Sequence, residues 1–273
     1  MIKTIYVARH GFRQNWVSTE WKTPTGLDRD PPLAAHGVDQ AKELAQHILS
    51  FPASKRPTAI FSSPFYRCLQ TAAPIAEALQ LPIFVEHGIG EWYSPVEEGT
   101  GIHPRPGDAA SLRAFFSQID PSWTPTWLPS QLGEFVDGLH DRVAGFLEAF
   151  VPRVESQLGH HHENILLVSH AATAITLVRE LEGDRTKAYR IGCCALSTVE
   201  RKSDKQDQVV GNWTAKAVGD ASFLTNGVER DWGMEDILIE DGKVVHDHGV
   251  PGTKGQEPGP EGLQYKHTPS SRM

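Results

Sequence analysis

Arginine and histidine crowd one short run near the start of this chain. In VARHGFR, Arg9, His10 and Arg13 stand within five residues, directly after the apolar stretch Ile5 to Ala8. Similar endings recur. TAIFSS closes in Ser62-Ser63, with Arg67 shortly after. PIFVEH closes at His87, with Glu91 next. NILLVS closes in Ser169, with His170 following at once. Gathered in one place, three arginines and two histidines repel one another unless an anion sits among them. A phosphoryl group meets that demand, because its oxygens accept paired guanidinium hydrogen bonds. Taken singly, each residue has an ordinary reading: Arg9 and His10 a surface turn, Arg67 a solvated helix face, His170 a satisfied core histidine.

The elements that must position these groups alternate along the chain. Thr4 to Ala8 reads as a strand apolar on both faces. A polar loop through TPTGLDRDPP leads to a helix over about 34–50, with Val38, Ala41, Leu44, Ala45 and Ile48 on one side. TAIFSS is a second strand. Ser63-Pro64 reads as an N-cap with proline at the first helical position, opening a helix to about Leu79. PIFVEH is a third strand. From Trp92 to Ser130, proline and tryptophan punctuate an insertion of the lid or binding-loop kind, with one short helix over 109–118. A helix over 132–158, the strand NILLVS, a helix over 171–181 and the strand CCALSTVER follow. Residues 208–220 and 235–248 read as further β structure.

Alternating strands and helices predict an α/β fold, a three-layer α/β/α sandwich around a mostly parallel mixed sheet. The expected organisation is a main domain over 1–205 with the insertion at 92–130. Residues 206–250 form a β-rich extension of it or a small appendage, and the Gly- and Pro-rich stretch 251–273 lacks fixed structure. In such sheets ligands bind beyond the carboxyl ends of the strands, which is where the charged residues fall. The helices expected after Ser63 and His170 would add N-terminal N–H donors.

Composition narrows the partners. The chain has 273 residues, 39% hydrophobic and 22% charged, with a formal net charge of −8. An acidic surface argues against direct nucleic-acid binding and against anionic membranes, both of which need excess Lys and Arg. Three cysteines, Cys68, Cys193 and Cys194, predict no disulfide framework, and the vicinal pair reads as strand core. No charged and apolar leader opens the chain, and ILLVSHAATAITLV is too short to span a bilayer, so a cytoplasmic or nuclear protein is expected. The tract His160-His161-His162 reads as an exposed loop rather than a metal site, and His36 as a helix-start residue. His103 and Arg105 read equally as lid residues that touch substrate or as part of a plain Pro-rich loop.

In order along the chain, VARHGFR, SSPFYRCLQTA, the Glu91 of GIGEWYS and LLVSHAAT resemble the four signatures of the histidine phosphatase superfamily, which includes the phosphoglycerate-mutase-like enzymes. DPPLAAHGVDQA is similar to the family's entry into its first helix, and the resemblance covers roughly residues 1–200. It implies a phosphoglycerate-mutase-like fold and a phosphomonoesterase working through a phosphohistidine. His10 would be the nucleophile. Arg9, Arg13, Arg67 and His170 would hold the phosphoryl oxygens. Glu91 would protonate the leaving group and later activate water, with Glu97, Glu98 and Asp108 as rival acids. The His10 ring would be fixed by a backbone carbonyl, that of Gly11. No metal or cofactor is implied, since arginines supply the positive charge.

Two departures separate the chain from named branches. Asn15 and Trp16 stand in the reverse of the mutase order, and Ala171 replaces the aspartate that follows the second histidine in acid phosphatases. RHGxR, EWY and ASFLTNGVERDW look closest to two subgroups. One is the phosphatase domain of ubiquitin-associated, SH3-containing signalling phosphatases. The other, the nearer, is the fungal group related to a subunit of RNA polymerase III transcription factor tau. The expected partner is a phosphorylated small molecule or phosphoprotein. The alternatives are a phosphatase-fold subunit of a transcription-factor assembly, with a protein partner or a homodimer, and a mutase or sugar bisphosphatase.

Overall fold

Two buried strands set the frame. In the computed structural model, β1 (Thr4–Arg9) is buried at every residue. The structure describes residues 1–159, 162–202, 208–237, 239–240, 243–244, 252–254 and 257–265. After β1 come α1 (Ala35–Ser50), β2 (Ala59–Ser62), α2 (Tyr66–Leu79), β3 (Ile83–Val85), α3 (Ala109–Leu112) and β4 (Trp127–Leu128). Then follow α4 (Val136–Gln157), β5 (Asn164–Ser169), α5 (Ala171–Glu182), β6 (Leu196–Arg201) and β7 (Trp213–Asp220). Two short pairs complete the described elements: β8 (Ile239–Glu240) with β9 (Lys243–Val244), and β10 (Gly262–Leu263) with β4.

The main sheet runs β3-β2-β5-β1-β6-β7. β1, β2, β3 and β5 are parallel, β6 joins β1 antiparallel, and β7 joins β6 antiparallel at the edge. The sheet is therefore mixed and mostly parallel, as the alternation predicts. β5, like β1, is a continuous apolar run because both faces of the sheet are covered. The crossovers β1-α1-β2 and β2-α2-β3 move one way along the sheet, and β3-α4-β5 moves back. Right-handed connections then put α1 and α2 on one face and α4 on the other. α1 packs on α2, and α4 on α5. No helix among the described residues is long and apolar enough to cross a membrane.

Several local expectations need correction. α2 starts at Tyr66, and its N-cap Phe65 supplies no side-chain cap. Ser63 is not the cap: the Asp30 carboxylate accepts from Tyr66 N–H instead (2.9 and 3.0 Å). α4 starts at Val136 rather than near 132, because the backbone there is committed to the insertion. Val96 N–H donates to Leu132, Glu134 N–H donates to Tyr93, and Gly133 takes φ +80°. α3 spans four residues of the expected ten, and beyond it Ile119 bridges to β3. Cys193 and Cys194 are buried free thiols in the turn before β6, with Cys194 at φ +51°, rather than strand residues.

The C-terminal stretch is also not structureless throughout. Leu263 pairs with Trp127, Gln264 N–H donates to Thr126, and the Tyr265 ring lies 4.3 Å from the Arg153 guanidinium. Arg153 rests on Trp123 as well (3.9 Å). Composition hides this because three residues, and not a periodic apolar face, carry the contact. The insertion itself is tied to the end of β3 by the buried Glu86 carboxylate, which accepts from Gly88, Thr126 and Trp127 N–H and from the Trp123 indole. Of the histidine tract, His160 and His161 lie outside the described residues. His162 pairs with Thr58.

Candidate active site

β1 and β5 end side by side, with Arg9 opposite Ser169. Their next residues, His10 and His170, face each other edge to ring, centroids 5.4 Å apart. The loop after β1 can lie this close to α1 because both contacting residues are glycines. A Cβ on Gly11 would stand 2.7 Å from the Gly37 carbonyl, and one on Gly37 would stand 2.1 Å from that of Phe12.

His10 donates from Nδ1 to the Gly11 carbonyl (2.8 Å). A carbonyl only accepts, so the proton is on Nδ1 and Nε2 keeps its lone pair. Burial, and then the charges of Arg67, His170, Arg9 and Arg13, push the His10 pKa well below 6.5. That shift, with the Nδ1–H bond to Gly11, favours the neutral ring at neutral pH with its Nε2 lone pair unused.

Three guanidiniums surround it. Arg9 donates through Nη1 to the carbonyls of Ile191 and Arg230 (2.7 and 2.5 Å). Arg67 donates to Asp30 Oδ1 (3.1 Å) and Glu91 Oε2 (2.9 Å) and lies 3.1 Å from His170 Nδ1. Arg13 stacks on the Trp16 indole (4.2 Å). The Nε atoms of all three are buried without a hydrogen-bond partner among the described residues. Burial lowers the Arg13 pKa to about 10, and the nearby charges of Arg67 and Arg9 add to this. Such groups await acceptors, and an oxyanion supplies them.

His170 is fully buried, its Nε2 2.8 Å from the Ser63 hydroxyl. Burial lowers its pKa to about 4. His170 precedes α5, whose first residues Ala171 and Ala172 line the mouth and add a helix N-terminus to the positive field. Glu91 accepts from Trp92 N–H at Oε1 (3.2 Å) and meets Arg67 and His170 at Oε2. Burial would raise its pKa, but His170, Arg67 and Arg13 outweigh it and hold the carboxyl well below the usual range. The Glu91 loop is pinned from below: Ser169 Oγ donates to Ile89 (2.7 Å) and Thr173 Oγ1 to Gly90 (2.8 Å). Ser169 and Thr173 thus serve this loop.

All six sequence-predicted residues, Arg9, His10, Arg13, Arg67, Glu91 and His170, meet in this one place. The rival acids do not. Glu97 and Glu98 are exposed, and Asp108 caps α3. His36, on the first turn of α1, pairs with Glu229. His103 and Arg105 line a narrow cleft of about 30 Å³ on the other side of Glu91, and His103 bonds Ser94 and Arg29. Asp30, Ser63 and the segment 228–236 also belong to the site, and local sequence does not mark them as such. Asp30 lies in DPPL, which signals a helix entry and says nothing of a partner 37 residues on.

The open mouth, about 230 Å³, is lined by Arg9, His10, Arg13, Glu91, Trp92 and Trp232 among others. His10, Glu91 and His170 place three donor atoms within 4.8 Å of one another, a set that can hold a metal. The Arg67 head lies against two of them, however, and with Arg9 and Arg13 it gives a field that favours an anion over a dication.

The family model described as histidine phosphatase superfamily (branch 1) matches residues 5–214. The chain is 37% identical over 262 residues to the transcription factor tau 55 kDa subunit of Saccharomyces cerevisiae, covering 86% of this chain and 59% of that protein. It is 26% identical over 251 residues to the ecdysteroid-phosphate phosphatase of Drosophila melanogaster, covering 77% of this chain and 31% of that one. The chain thus spans less than two thirds of either relative. Among solved structures, ecdysone phosphate phosphatase from Bombix mori, in complex with tungstate, superposes with a TM-score of 0.60 at 19% identity. That match covers 79% of this chain and 92% of the other, and it shows a shared fold.

Proposed function

This chain belongs to the histidine phosphatase superfamily (branch 1), and we propose that it hydrolyses phosphomonoesters through a phosphohistidine on His10. One observation carries this. His10 keeps a bare Nε2 amid three guanidiniums whose buried Nε atoms lack acceptors among the described residues. Arg9, Arg13, Arg67 and His170 hold the phosphoryl oxygens. Nε2 attacks phosphorus, the P–O bond to the leaving group breaks, and Glu91 gives that oxygen a proton. Water then attacks phosphohistidine, Glu91 takes its proton, and phosphate leaves.

Glu91 starts ionised against Arg67. A phosphate dianion draws on the same arginines, weakens that pairing and raises the Glu91 pKa, so that the carboxylate takes up a proton from solvent before it acts as the acid. Substrate binding therefore arms its own proton donor.

Turnover of p-nitrophenyl phosphate by the wild type, with no turnover by His10→Ala and an acid-labile phosphohistidine detected in ³¹P NMR, is the expected result. Equal, negligible rates for both proteins would sink the enzyme reading.

The tau-subunit relative favours a second reading, in which the chain is a nuclear assembly subunit with weak activity. Affinity purification of the tagged protein should then recover a stoichiometric transcription-factor complex. Recovery as a lone monomer or homodimer would count against it.

A further inference from the structure

We propose that Arg230, with Trp16 and Trp232, forms a second anion subsite at the mouth, taking a carboxylate or second phosphate on the leaving-group side of the substrate; this rests on the phosphatase reading above.

Arg230 lies in the segment after β7, outside the four signatures. Its backbone takes φ +49°, a left-handed conformation that suits glycine and penalises any residue with a Cβ. A position free of other demands would carry glycine or asparagine there. This chain carries arginine, which marks the side chain as wanted. The turn also aims the Arg230 carbonyl at Arg9, which donates to it, so the residue is tied to the phosphate pocket itself.

The guanidinium lies over two rings, Phe12 at 5.3 Å and Trp16 at 5.1 Å. Trp16 also carries Arg13, one of the three pocket arginines, and its ring centroid is 6.3 Å from that of His10. These ring contacts leave its N–H donors unused. No oxygen among the described residues accepts from it. Both flanking carboxylates are spent elsewhere: Glu229 on His36 and Gln40, Asp231 on Arg190. In a chain of net charge −8, a pre-oriented cation with its neighbouring acids turned away is a site for an anion. Trp232, two residues on, lines the mouth beside Arg9 and Arg13. The substrate therefore carries two anionic groups, the scissile phosphate on Arg9, Arg13 and Arg67 and the second group on Arg230.

The test uses phosphonates, which bind without being hydrolysed. Isothermal titration compares phenylphosphonate, 4-carboxyphenylphosphonate and 1,4-phenylenebisphosphonate on the full chain and on Arg230→Gly. Glycine relieves the left-handed backbone, so this variant keeps its fold. The wild type should prefer one or both two-anion ligands over phenylphosphonate by about two- to fivefold, the size of one ion pair at an exposed side chain. The favoured ligand tells carboxylate from second phosphate. Arg230→Gly should bring the ratio to about one. Equal affinities in the wild type, or a preference that survives in Arg230→Gly, would overturn the subsite. A preference without turnover of p-nitrophenyl phosphate overturns only hydrolysis, and turnover without a preference overturns only the subsite.

Discussion

The Asp30 carboxylate and the Arg67 guanidinium form an ion pair 3.1 Å long with both side chains 1% exposed. Asp30 also accepts twice from Tyr66 N–H, so one residue caps α2 and aims the first-turn arginine of that helix. Arg67 can sit fully buried beside His10 because Asp30 and Glu91 offset its charge.

Asp30→Ala should therefore cost both fold and function. Removing one partner of a buried pair leaves the other charge uncompensated, typically about 3–5 kcal/mol. Urea denaturation should show a loss of that order, with phosphate affinity falling as Arg67 loses its aim. A loss below about 1 kcal/mol would mean that the pair is dispensable.

Ser63→Ala tests whether Ser63 positions His170. If Ser63 orients His170 through the 2.8 Å contact at Nε2, kcat/KM should fall by about tenfold, alongside a stability loss of about 1–3 kcal/mol for the buried nitrogen left without a partner. A stability loss with kcat/KM intact would remove Ser63 from that role.

Glu91→Gln removes the proposed proton donor and keeps the shape. For alkyl phosphates, whose leaving groups need a proton, kcat/KM, which reports only the steps through phosphohistidine formation, should drop by about 10²–10⁴. For p-nitrophenyl phosphate, whose leaving group departs as the anion, the drop should be much smaller. Equal losses on both substrates would remove Glu91 from that role.

Acid should destabilise the fold through its histidines. His10 lies well below 6.5, and burial puts His87 and His170 at about 4. Each binds a proton in the unfolded chain before it does so in the folded one. Their contribution is complete above pH 6.5 and is lost as the pH falls from there toward 4. The melting temperature should decline across that window. A flat profile would show that these rings titrate normally.

Tyr265→Ala tests whether the C-terminal stretch holds the insertion. Losing its stack on Arg153 should cost about 0.5–1 kcal/mol at this half-buried site and raise proteolytic cleavage near Trp127. Unchanged cleavage would leave the segment without a structural duty.

What could be read from sequence follows the range of each interaction. The buried strands announce themselves because a central parallel strand is apolar at every residue, as Ile5 to Ala8 and Ile165 to Val168 are. Arg9, His10, Arg67, Glu91 and His170 fall at strand ends or one turn beyond, where topology delivers ligands. Asp30 and Ser63 stayed hidden because their partners lie 37 and 107 residues away, and no local spacing encodes such a pair. Arg230 stayed hidden for a different reason. Its signal is a positive φ, which only the folded backbone shows.

Arg9 reaches across the whole molecule. Its one Nη1 binds carbonyls of residues 191 and 230, so the first strand grips two loops from the last third of the chain. The pocket is thus a clasp as well as a receptacle, and a fragment ending at residue 205 would keep every signature yet leave that clasp half open. An inventory of motifs would score such a fragment as intact. Its first arginine would have lost an acceptor and gained freedom to wander, and the phosphate would meet a wall with one side missing.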